Sequence, residues 1–218
     1  MADNSEFKRA RSAKQKTVRL EQIANSAIEL FDELPYHEIT LTGITEKLDF
    51  SRINLYKYFS TKEEIYLYVL LLEEKSWIED IQKVFEDIDT ISVEKFSQLW
   101  ANTLYNHRRL MRLQALNFIV LEKNATVETL VEFRKEAYKA SRSLEKLIQR
   151  LFPEFSEKQV IDFLEYQLDY TIGMYPKTLI SSKQLDSVEI SGIRFMNEDF
   201  IQSCAQFVSV ILLGIRNL

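Results

Sequence analysis

Between Ser51 and Glu64 the chain reads SRINLYKYFSTKEE, a run whose side chains suit the recognition of anions and hydrogen-bonding edges. The Arg52 guanidinium is a fork able to reach two acceptors, Lys57 and Lys62 carry ammonium groups, Tyr56 and Tyr58 offer phenols, and the Asn54 amide both donates and accepts. Leu55 and Phe59 lie four apart and can share an inward helical face. That turns Arg52 and Tyr56 outward, with Asn54, Lys57 and Tyr58 on the flank. Lys62 falls in the first turn of the next helix, where a positive charge opposes the helix dipole. An anion outside the protein would account for it, since a helix N-terminus already attracts one.

These groups need a rigid mount. Leu41, Ile44 and Leu48 make one apolar face of a two-turn helix, with Thr40 before it as N-cap. Asp49 and Phe50 break the pattern, Asp tolerating the left-handed conformation of a tight turn, and Ser51 caps a second short helix. Thr61 and Glu64 are spaced as a capping box that starts another helix at once. Isolated helices this short are marginal in water, so a third must support them. The stripe Leu20, Ile23, Ala24, Ala27, Ile28 and Phe31 predicts it, from about Ser12 or Thr17 to Glu33, ended by Pro35 and Tyr36.

The segment from Leu20 to Tyr68 resembles the N-terminal DNA-binding domain of TetR-type transcriptional regulators. SRINLYKYFSTKEEI follows that family's pattern of Ser, any residue, Gly or Pro, Thr or Asn, Leu-Tyr, any residue, aromatic or His, Phe, any residue, Ser or Thr, Lys-Glu. Two positions depart from it: Ile53 stands where Gly or Pro is usual, and Asp49 where the turn is usually Gly. Ile53 bears on how closely the helix approaches a groove. Carried over position by position, the resemblance implies that Thr42, Arg52 and Asn54 read base edges, that Tyr56, Tyr58 and Lys62 hold phosphates, that Lys57 does either, and that Thr40 belongs to the same interface. Arg52 could pair bidentately with guanine.

Across 218 residues, 28 cations oppose 33 acids, a net charge of −5 that taken alone argues against a nucleic-acid partner. The distribution reverses this at one end. Lys8, Arg9, Arg11, Lys14, Lys16 and Arg19 face only Asp3 and Glu6 before residue 20, which fits a phosphate-contacting arm. A solvated, disordered tail is the alternative for residues 1 to about 10.

With four Gly and three Pro in a chain that is 46% apolar, an all-α fold with short connections is expected. A three-helix helix-turn-helix domain with a basic arm is assigned to 1–66 and a larger helical domain to 67–218. A helix from Lys62 to about Phe85 joins them. Further helices are expected near 92–106, 108–122, 126–152, 156–176 and 197–217, with a long loop at 177–197. In the last helix Phe207, Val208, Val210, Ile211, Leu212, Leu213 and Ile215 surround the axis, so it must be covered on most sides. A second copy, meeting it and the 156–176 helix, is one cover; burial within the monomer is the other. The resemblance implies a homodimer through the last two long helices and a palindromic operator in double-stranded DNA. It also implies a small-molecule effector in the larger domain. Trp100, Leu104, Phe118, Tyr138, Tyr166, Tyr170 and Met174 are the residues placed at that site, although aromatics at helical spacing more often pack cores.

Other classes find less support. Cys204 is the lone cysteine, which rules out an intramolecular disulfide and suits a reducing cytoplasm. No secretory signal is expected, and the apolar run 207–215 falls short of the roughly 20 residues a membrane span needs. His37 and His107 read as solvated surface, and no metal-ligand spacing, Gly-rich phosphate loop or nucleophile elbow occurs, so neither a cofactor nor catalysis is expected. A helical interaction module without DNA contact remains the main alternative, ahead of an all-helical enzyme.

Overall fold

The computed structural model describes residues 4–48, 51–193 and 199–217, with side chains from Gln15 onward. All its regular elements are helical: α1 (Asn4–Glu33), α2 (Leu41–Glu46), α3 (Arg52–Leu55), α4 (Lys62–Val84), α5 (Val93–Asn106), α6 (Arg108–Leu116), α7 (Val127–Leu151), α8 (Glu157–Met174), α9 (Ser182–Ser191) and α10 (Phe200–Ile215). No strand occurs among the described residues. Two compact units form, one of Met1–Leu71 with Asn117–Phe133, the other of Leu72–Leu116 with Arg134–Leu218. The division falls inside α4, five residues beyond the expected boundary, and the segment 117–133 joins the smaller unit although the sequence placed it in the larger.

In the smaller unit Ile23, Ala24, Ala27 and Phe31 of the predicted α1 stripe are buried, as are Ile44 of α2, Leu55 of α3 and Ile65 and Tyr66 of α4, and the Phe31 ring lies 5.4 Å from that of Tyr66. Polar anchors fix the geometry. The buried Ser26 hydroxyl donates to the Ile44 carbonyl at 2.7 Å, satisfying an acceptor near the end of a helix too short to satisfy it internally. Tyr66 Oη donates to the Ala27 carbonyl at 2.9 Å. α1 opens at Asn4, well before the expected start, in a stretch of Lys, Arg, Ala and Gln, which favour a helix.

The larger unit is centred on an aromatic cluster. Phe96 lies 5.2 Å from Phe85, 5.3 Å from Trp100, 5.0 Å from Phe152 and 5.9 Å from Phe163, measured between ring centroids. α10 packs on α5 and α8, and α6 packs on α8. Two expected elements differ. The 108–122 helix becomes α6 followed by a π-helical stretch, Asn117–Leu121. The loop expected at 177–197 contains α9, started by a reciprocal Ser181–Gln184 capping box and stopped by Gly192 at φ +64°. No residue of α9 is buried, so it has no apolar stripe for the sequence to display.

Candidate nucleic-acid interface and internal cavity

α3 is a single turn carried on Leu55, which is fully buried, and on Phe59 just beyond it. Ser51 occupies its N-cap position without a side-chain hydrogen bond. Asp49 and Phe50, the expected turn, lie outside the described residues. On the open side, Arg52 Nε and one terminal nitrogen donate to Tyr56 Oη at 3.1 and 2.9 Å, with the guanidinium 5.5 Å from the ring centroid. Of five guanidinium protons, three stay available. Lys57 Nζ donates to Asn54 Oδ1 at 2.8 Å, which leaves the Asn54 amide protons unused. Arg52, Tyr56 and Lys57 are exposed, Asn54 and Tyr58 half-buried. Thr40 Oγ accepts from the Gly43 amide at 3.1 Å, and the exposed Thr42 sits in the first turn of α2.

Lys62, expected at a phosphate, is engaged within the protein. Its ammonium donates to the carbonyls of Tyr36 (3.2 Å) and Ile39 (2.7 Å) and lies 4.5 Å from the Tyr36 ring centroid. The charge in the first turn of α4 is thus met by two carbonyls and a π face, a partner set that sequence spacing cannot reveal because it is 23 to 26 residues away. The Tyr36 hydroxyl donates to Glu63 at 3.1 Å, so the loop before α2 is tied to the start of α4 twice. Burial, then the Glu63 charge, hold the Tyr36 phenol well above its ordinary range.

The expected capping box forms by half. The Glu64 amide donates to Thr61 Oγ at 3.2 Å, but the Glu64 carboxylate turns to the Ser60 amide at 2.6 Å. It also accepts from the Thr126 amide (3.0 Å), the Thr126 hydroxyl (2.7 Å) and the Thr129 hydroxyl (3.1 Å). Burial pushes this carboxyl up, yet its hydrogen bonds from Thr126, Ser60 and Thr129 outweigh that and hold it below the usual range. Glu64 therefore binds the head of α4 to the head of α7, a role the sequence reading missed.

Within the larger unit lies a cavity of about 110 Å³ among Glu74, Trp77, Leu104, Leu110, Met111, Gln114, Ser141, Leu144, Leu164, Gln167, Leu168, Thr171 and Ile172. Of the residues expected at an effector site only Leu104 lines it. Trp100 is fully buried one layer deeper, its indole donating to Gln167 Oε1 at 3.0 Å. Met174 packs in the core. Tyr170 stacks on Phe207 at 3.7 Å, while Phe118, Tyr138 and Tyr166 are exposed. Trp100 and Met174 serve packing, and the cavity lining is mostly aliphatic. His107, expected at the solvated surface, is 11% exposed and pairs with Asp80 at 3.1 Å.

Three helices mounted on one core, with the second and third short and the third presenting Arg, Asn, Tyr and Lys outward, define a helix-turn-helix DNA-binding protein. The family model described as "Bacterial regulatory proteins, tetR family" matches residues 23–69, and "Tetracyclin repressor-like, C-terminal domain" matches 72–217. The chain belongs to the TetR family and is a DNA-binding transcriptional regulator. Its fold is similar to that of the fatty acid degradation regulator FadR from Bacillus halodurans, with TM-score 0.57 and 14% identity, over 89% of this chain and 97% of that one. The TetR-family repressor AlkX from Dietzia sp. strain DQ12-45-1b gives 0.53 and 12%, over 90% and 95%. A TetR/AcrR-family regulator from Thermobifida fusca gives 0.51 and 17%, over 88% and 96%. No curated protein is significantly similar in sequence. Among the described residues no helix is long and apolar enough to cross a membrane.

Proposed function

We propose that this regulator is a homodimeric repressor that binds a palindromic operator and leaves it when a small molecule enters the larger unit. The observation that carries the DNA reading is the outward row on α3. Arg52 is pre-oriented by Tyr56 yet keeps three protons for a guanine edge, and Asn54 keeps its amide protons for a second base. Thr42 reads from α2, Thr40 caps that helix beside it, and Tyr56, Lys57 and Tyr58 serve the phosphates. Lys62 acts from behind, holding the loop before α2 in position. Selection of bound sites from random duplexes tests this: an enriched two-fold sequence with half-sites about one helical turn apart is expected. Recovery of no common sequence would favour the helical interaction module.

Dimerisation is assigned to α8 and α10. Ile161 and Tyr166 on α8 and Val210 and Leu213 on α10 are each between 44% and 59% exposed, an apolar surface a partner copy would cover. For release, α4 is the element that matters, because it begins at the reading head and carries Glu74 and Trp77 to the cavity wall. A ligand seated there would bias α4 between two positions. Equal operator affinity with the cavity filled and empty would sink this mechanism.

A further inference from the structure

Most polar groups around the cavity are engaged within the protein. Ser141 Oγ donates to the Tyr138 carbonyl at 3.0 Å, and Thr171 Oγ to the Gln167 carbonyl at 2.6 Å. Gln167 donates to the Leu164 carbonyl at 3.0 Å and accepts from the Trp100 indole. The Trp77 indole donates to Thr103 at 3.1 Å. Wholly unengaged are the Glu74 carboxylate and the Gln114 amide, neither of which makes a hydrogen bond or ion pair among the described residues.

No Lys, Arg or His lines the space. The cations next to Glu74 on and around α4 are committed elsewhere: Lys75 pairs with Glu136 at 3.0 Å, and Arg109 with Glu73 at 2.6 Å. α5, α6, α7 and α8 contribute no titratable group to the wall. An acid set in apolar surroundings without a partner is costly to keep charged, and burial accordingly pushes the Glu74 carboxyl up to about 7, Lys75 lowering it in part.

We propose that this cavity takes a compact organic amine, its apolar body against Trp77, Leu104, Leu110 and Met111 and its ammonium on the Glu74 carboxylate, with the Gln114 oxygen as second acceptor. The volume of about 110 Å³ is below the ~150 Å³ that holds benzene in an engineered apolar cavity, so the whole ligand, nitrogen included, has about five non-hydrogen atoms. Charge sets the selectivity. An ammonium supplies the missing counter-charge, a neutral alcohol gives only a hydrogen bond, and a carboxylate places like charges together. Binding displaces the proton that Glu74 still holds in part at neutral pH, so amine affinity rises from about pH 6 to about pH 8.

The amine's use as an effector rests on the release mechanism above, but its binding does not, and the two are measured separately. Isobutylamine, cyclobutylamine, isobutanol and propionate are titrated into the full chain, followed by tryptophan fluorescence and calorimetry, and into Glu74→Gln, whose fold is checked by circular dichroism. The amines are expected to bind at least about tenfold more tightly than the alcohol, the carboxylate most weakly, and Glu74→Gln to erase the preference. Should that variant fail to fold, the rise of amine affinity with pH in the unaltered chain, absent for isobutanol, carries the same test. Amine binding no tighter than alcohol, a preference that survives Glu74→Gln, a flat pH profile, or no amine binding at all would overturn the site. Amine bound without loss of operator affinity would leave the site standing and sink only the release mechanism.

Discussion

Arg52 is held in the free protein by Tyr56, so its direction is set before DNA arrives and little side-chain freedom is lost on binding. Arg52→Ala is expected to relax preference at one base pair, costing about 1–3 kcal/mol there, whereas Lys57→Ala weakens all sequences alike and lowers the salt slope by about one. Quantitative binding to single-base operator variants at two salt concentrations separates the two; a uniform loss from Arg52→Ala would refute its reading role. Glu74 offers a second residue-level outcome. Its carboxyl titrates near 7 in the fold against an ordinary 4.5, so between those values the native state holds the extra proton and stability falls as pH rises through that window. Glu74→Gln is therefore expected to melt like the parent near pH 4.5 and several degrees higher near pH 8, from a difference of up to about 3 kcal/mol. Equal melting shifts at both pH values would contradict an uncompensated carboxylate.

The heads of the helices explain why single side chains here have long reach. Lys62 and Glu63 at the start of α4 tie down Tyr36 and Ile39, and Glu64 one position on satisfies Thr126 and Thr129 at the start of α7. Removing Glu64 leaves the Thr126 and Thr129 donors unmatched, and removing Lys62 leaves the carbonyl of the buried Ile39 unmatched. Glu64→Gln is expected to destabilise the fold by about 1–3 kcal/mol at neutral pH. In the parent that contribution is present above the ordinary 4.5 and fades as pH falls through the lower native value. Lys62→Met should weaken operator binding through a looser α2, seen as faster amide exchange across 36–46 in the DNA-free protein. Unchanged exchange would return Lys62 to a direct phosphate contact.

For the assembled molecule the expected state is a dimer. A charge at Val210 or Leu213, as in Val210→Glu, should yield monomers in sedimentation and reduce palindrome binding far more than half-site binding; a dimer that survives both would place the interface elsewhere. How much of this could be read beforehand follows from the range of each interaction. Periodic burial of Leu55 and Phe59, the 3.6-residue stripe of α1 and the scarcity of Gly and Pro are local signals, and they determined the all-helical fold, the position of the reading turn and the residues it displays. α9 stayed hidden because it buries nothing, and spacing could not tell that Trp100 is fully buried while Tyr138 is exposed, since the two differ in depth. Which charged groups find partners, from Lys62 on two carbonyls to Glu64 on α7 and Glu74 on none, was decided only by tertiary structure, since pairing across tens of residues depends on where packing brings the helices and leaves no periodicity in the chain.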